Sequence, residues 1–123
     1  MTRDEFRKRT FLFGIRCIRL AESLPKSLAG QTIAKQLIRC ATSVGANYRA
    51  AVRGRSRADF VAKMGIVEEE SDEALYWIEI ILELELIPAG RTGELQREAD
   101  EILAVVVSSI KTARKNSQPQ VSK

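Results

Sequence analysis

The 123-residue chain contains no histidine. That removes the commonest general base and every Ser–His or Cys–His nucleophile pair. It also removes the Glu-x-x-His pairs that hold di-iron centres in helix bundles. The two cysteines, Cys17 and Cys40, belong to no CxxC motif, so zinc and dithiol redox chemistry lack a ligand set. Buried reduced thiols are the expectation instead. Gly54-Arg55-Ser56 has neither the preceding strand nor the spacing of a phosphate loop. No apolar run reaches membrane-spanning length, and the charged N-terminus has no signal-peptide core. The acids Glu68, Glu69, Glu70, Asp72 and Glu73 are dense, but without imidazole they read as a solvated face or a partner for arginines. These absences predict a non-enzymatic cytoplasmic protein with no cofactor, no metal and no membrane partner.

Three prolines and seven glycines leave room for a few long elements, and the length suits one domain with its own core. Four stretches carry a helical period. In residues 3–24, Phe6, Thr10, Phe13, Cys17, Leu20, Ala21 and Leu24 share one face, with Thr2 or Asp4 as cap and Pro25 as stop. Phe11, Ile15 and Ile18 point nearly the other way, which predicts a subunit contact beside the core. Residues 31–53 present Ile33, Leu37, Cys40, Ala41, Val44, Tyr48, Ala51 and Val52 to the core. Gly45 lies inside this helix at a cost of about 1 kcal/mol against Ala. A close approach by another backbone would justify it; a tolerated blemish is the alternative.

Ser56 caps a third helix over residues 57–86, with Asp59 where a capping-box acid sits. Its apolar series runs from Phe60 through Met64, Val67, Ser71, Ala74, Leu75, Ile78, Ile81 and Leu82 to Glu85. Trp77 lies off that stripe next to Tyr76, as a rim aromatic or an interface anchor. A fourth helix, residues 92–115, starts near Thr92 or Gly93 and buries Leu95, Ala99, Ile102, Leu103, Val106, Ile110 and Ala113. Val105-Val106-Val107 could be a strand, but the surrounding period favours helix and no second strand exists to pair with it. The prediction is an all-α, antiparallel up-down four-helix bundle over residues 1–115, with a disordered tail at 116–123.

Charge is divided unevenly. Residues 1–57 hold thirteen Arg/Lys against three acids, and residues 58–123 hold seven against thirteen. Lys35, Arg39, Arg49 and Arg53 follow one face of helix two, and Arg55 and Arg57 lie at the break after it. Arginine forks match phosphate oxygens, and spaced cations on a helix can track a phosphate backbone. The same residues could instead pair with the acids of helix three across a subunit boundary, making the protein an interaction scaffold. Aromatic residues are poorly interleaved with the basic ones, which argues against single-stranded nucleic acid.

The run Gln36 to Asn47, with Gln36, Leu37, Arg39, Ser43 and Asn47 in register, precedes a basic Gly-Arg-Ser segment and a long acidic helix. This resembles the bacterial four-helix-bundle proteins known as 23S rRNA intervening-sequence, or S23-type, proteins. The resemblance covers about residues 5 to 115. It implies a bundle that assembles into a ring, commonly a homopentamer. The related accessory variability determinants of retroelements form similar barrels that engage nucleic acid and a reverse transcriptase. Many relatives continue after the Asn with Ile-Ala-Glu-Gly; here the segment is Tyr48 to Gly54, with arginines and no acid. That departure favours the nucleic-acid reading. The partners expected are therefore other copies of the chain, RNA or DNA, or another protein.

Overall fold

A computed structural model describes residues 1–117. It consists of α1 (Arg3–Glu22), α2 (Leu28–Val52), α3 (Arg57–Glu83) and α4 (Ala89–Ser117), arranged as an antiparallel up-down bundle. Each helix packs along the next in sequence, and α1 meets α4 over a much smaller contact that closes the bundle.

Local chemistry sets the helix starts. Thr2 Oγ1 accepts the Glu5 N–H at 3.1 Å while Glu5 Oε1 accepts the Thr2 N–H at 3.3 Å, a reciprocal capping box. Ser27 Oγ accepts the Gly30 N–H at 3.1 Å, so α2 begins at Leu28 rather than at residue 31. A Cβ on Gly30 would lie 1.9 Å from the Pro25 carbonyl oxygen, so the chain can turn back over the loop only with glycine there. Ser56 Oγ accepts the Asp59 N–H at 3.0 Å and caps α3. Helix α4 starts at Ala89, directly after Pro88. Thr92, expected as a cap, is therefore inside the helix and fully buried. At the other end α3 stops at Glu83, and Glu85 turns through φ 50. That is a left-handed conformation unfavourable for a side-chain-bearing residue. Glu85 is exposed, not on the buried face. Residues 116 and 117 of the expected tail continue α4, and 118–123 lie outside the described residues.

The apolar faces read from the period meet in one core. Phe13, Leu37, Met64, Ile78 and Ile102 are among its largest fully buried side chains. Val52, Phe60, Leu82 and Leu103 are half-buried at its margin. Cys17 and Cys40 are free and buried. Desolvation raises the pKa of both thiols, that of Cys40 to about 12, which leaves them without the thiolate that reactivity needs.

Gly45 is explained by a neighbour. A Cβ there would lie 3.3 Å from both the carbonyl carbon and oxygen of Thr10, and one on Gly14 would lie 3.4 Å from the Ala41 carbonyl oxygen. The α1 and α2 backbones thus approach each other over reciprocal glycines. Gly45→Val should force them apart and lower stability by about 1–3 kcal/mol in urea unfolding. Gly65, with nothing within 4 Å of a would-be Cβ, should instead gain about 0.5–1 kcal/mol as Gly65→Ala. Equal effects at the two sites would refute the close approach.

Candidate nucleic-acid interface

The bundle redistributes the basic residues. Arg39 turns towards α3: one guanidinium nitrogen donates to Glu70 at 3.3 Å and another to Glu73. Glu73 also accepts the Trp77 indole N–H at 3.1 Å. The pairing expected between subunits is therefore made within one chain, and Arg39 is already engaged. Lys35 is exposed, but eighteen residues at about 1.5 Å rise place it about 27 Å along the axis from Arg53. Lys35 and Arg39 do not join the other four in one site.

Arg49, Arg53, Arg55 and Arg57 all lie at the end where α2 stops and α3 starts; Arg55 and Arg57 line one groove there and Arg49 another. The up-down topology brings the start of α1 and the last turns of α4 to the same end. Segments 1–8, 45–63 and 106–116 hold eleven Arg/Lys against three acids, Asp4, Glu5 and Asp59. The remaining described stretches, 9–44 and 64–105, hold eight against thirteen. Charge is therefore divided between the ends of the bundle as well as between helices: α2 carries three cations and no acid, α3 two cations and eight acids. Arg3, Arg7, Lys111 and Lys115 are members of this end that the helix-two stripe alone did not reveal. The pattern that could have revealed them is the basic last turn of α4 combined with up-down connectivity.

Helix stability accounts for only part of this cluster. Cations suit the last turns of α2 and α4, but Arg3 and Arg57 are the first residues of α1 and α3. There the helix dipole disfavours positive charge by roughly 0.3–1 kcal/mol each. The side chains of Arg49 and Arg53 are exposed and make no hydrogen bond or ion pair among the described residues. Arg55 gives its backbone N–H to Asp59 Oδ2 at 3.3 Å. Arg57 donates to the Asn116 carbonyl at 2.6 Å, tying α3 to the end of α4.

A groove of about 930 Å³ opens at this end, lined by α1, α2, the start of α3 and the last turns of α4. It exists because α1 and α4 are joined further along their length. Arg9 donates to Glu98 at 2.8 and 2.7 Å and to Glu101 at 2.9 Å, and Arg91 reaches Ser23 Oγ at 3.2 Å. Below those clasps the seam is open. Arg3 lies over the Phe60 ring, 4.9 Å from its centroid.

The expected subunit-contact residues occupy two places. Phe11, Ile15 and Ile18 line a shallow groove between α1 and α2, with Gly14 and Gly45 in its floor and Arg49 at its edge. Phe11 is 53% exposed. Trp77 is on the opposite flank of α2, beside Glu73 and edge-on to the exposed Tyr76 at 5.2 Å. Among the described residues no three His, Cys, Asp or Glu side chains converge as metal ligands. Nor, among them, is any helix long and apolar enough to cross a membrane.

The fold and this end define a class: an up-down four-helix bundle with a strongly basic end and an open seam. The chain matches the family model of the 23S rRNA-intervening sequence protein over residues 4–108, and it belongs to that family. A crystal structure of a protein of unknown function from the S23 ribosomal protein family of Bacteroides thetaiotaomicron VPI-5482 superimposes with a TM-score of 0.80. It shares 31% sequence identity, over 86% of this chain and 98% of that one. No curated protein matches the chain.

Asp59 steadies the start of α3, which carries Arg55 and Arg57. Its carboxylate accepts from Lys63 Nζ at 3.0 Å, and that bond, with the Arg55 N–H, lowers its pKa. A depressed carboxylate stabilises the fold above its unfolded pKa, about 3.9, and that contribution is lost as pH falls through the folded value. Asp59→Asn should therefore lower the urea midpoint slightly at pH 7, and the gap to the parent should close below pH ~4. A gap unchanged down to pH ~2 would contradict this role.

Proposed function

We propose that this protein is a non-enzymatic ring-forming bundle that binds the phosphate backbone of RNA or DNA through its basic end. The observation that carries the reading is the gathering of eleven cations against three acids at one end. Arg3 and Arg57 stand at helix starts where the dipole opposes them, and there they are held by the Phe60 ring and the Asn116 carbonyl, whereas others at this end have no such partner. Unpaired Arg49 and Arg53 supply exposed forks, and such contacts release counterions, so affinity must fall steeply with salt.

The reading is tested by fluorescence anisotropy on a short labelled RNA. Arg53→Glu with Arg55→Glu should weaken binding at least about tenfold near 50 mM salt and lower the slope of log K against log salt by roughly one to two. Lys35→Glu, far along the axis, should leave both unchanged. Affinity that persists at high salt, or that ignores the double reversal, would overturn it.

A second reading, an interaction scaffold assembled from copies of the chain, is favoured by the two unlike flanks of α2. A closed ring needs two different patches in head-to-tail contact. Phe11, Ile15 and Ile18 form one apolar flank, and Tyr76 and Trp77 mark the other. Light scattering should give the mass of a closed oligomer, and Phe11→Asp should reduce it towards the 13.8 kDa monomer. A parent protein of monomer mass would refute the ring.

A further inference from the structure

The groove at the basic end differs from the rest of that surface. Its rim is cationic, with Arg3, Arg55 and Arg57, but its walls are apolar and hydroxylic. Phe60 and Val105 are half-buried in the walls, and Ser108, Ser109 and Thr112 come from α4. Thr42 and Ser43 of α2 give their hydroxyls back to carbonyls of their own helix. The side-chain hydroxyls of Ser108, Ser109 and Thr112 make no hydrogen bond among the described residues, which leaves them available to a ligand. Tyr48 also lines the groove. Only 4% of the residue is exposed, and its ring packs edge-on against Phe6 at 4.9 Å. Its hydroxyl has no hydrogen-bond partner among the described residues and is not sealed from solvent, so it is a further polar group that a ligand can reach.

A surface that bound only phosphates would need the rim and not the interior. The volume, about 930 Å³, falls within the range of about 300–1,000 Å³ that buries a small organic ligand. The contents suit a planar heteroaromatic with polar edges. The Arg3 guanidinium over Phe60 is a ready stacking platform. The hydroxyls of Tyr48, Ser109 and Thr112 can donate to or accept from a base edge. In a duplex the bases are stacked and paired, so only the rim would be used.

We propose that this groove receives an unpaired base of single-stranded nucleic acid, with the flanking phosphates on Arg3, Arg55 and Arg57. The proposal rests on the nucleic-acid reading above and narrows it to unpaired strands. It also reverses the expectation from the linear sequence, where aromatics and cations are not interleaved. The fold supplies the interleaving by bringing Phe60 beneath Arg3.

The test compares strands of about ten nucleotides, as RNA and as DNA, with abasic strands of the same length and with a duplex, all by anisotropy at low salt. The intact chain should bind the RNA or the DNA strand at least about tenfold more tightly than its abasic counterpart. Ser109→Leu, which fills the groove without adding an aromatic ring, should reduce strand binding to the abasic level. Thr112→Leu, at an exposed site that tolerates change, should act in the same direction. Both variants should keep the affinity of the parent for duplex, which also reports that they are folded. Equal binding of strands and abasic strands, with no effect of either variant, would overturn the base site and leave the phosphate reading standing. Failure to bind any of these polyanions would instead overturn the phosphate reading itself.

Discussion

The reciprocal glycine contact between α1 and α2 sets the shape of this bundle. With Gly45 beneath the Thr10 carbonyl and Gly14 beneath the Ala41 carbonyl, no side chain separates the two backbones there. Helix α1 packs closely on α2 and makes far less contact with α4. The α1–α4 side carries polar clasps, Arg9 with Glu98 and Glu101 and Arg91 with Ser23. Beyond the clasps the seam parts into the groove at the basic end.

Electrostatics follow the topology. Pairing within the chain removes Arg39 and part of the α3 acids from the exposed charge, since Glu70 and Glu73 both accept from it. What remains is polarised along the bundle axis. Such a distribution raises the local potential at one end well beyond what the net charge of +4 suggests. The family to which the chain belongs takes its description from ribosomal RNA, but the case for a polyanion here stands on this end's own residues.

Much of the fold was legible in the sequence. Every helix appears where a 3.6-residue period marks one, and positions such as Phe13, Cys17, Leu37, Val44 and Ile102 are buried as the period requires. The misplaced starts have local causes. Ser27, hidden within the loop PKSLAG, caps α2, and Pro88 opens α4 a turn before Thr92. The residues expected at a subunit contact do not form one patch. Phe11, Ile15 and Ile18 lie between α1 and α2, whereas Trp77 belongs to α3, where its indole bonds Glu73 of the same helix.

The sequence by itself determined the helices, their inward faces and the lack of histidine chemistry. All of these are consequences of neighbouring residues and of composition. It could not determine which charges would be neighbours. Arg39 and Arg53 share a helix face in the sequence, yet one is neutralised by Glu70 and Glu73 while the other stays exposed and unpaired among the described residues at the basic end. Only the tertiary structure decided this, because contacts between residues far apart in sequence, such as Arg57 with Asn116 or Arg3 with Phe60, depend on which helix ends the topology brings together.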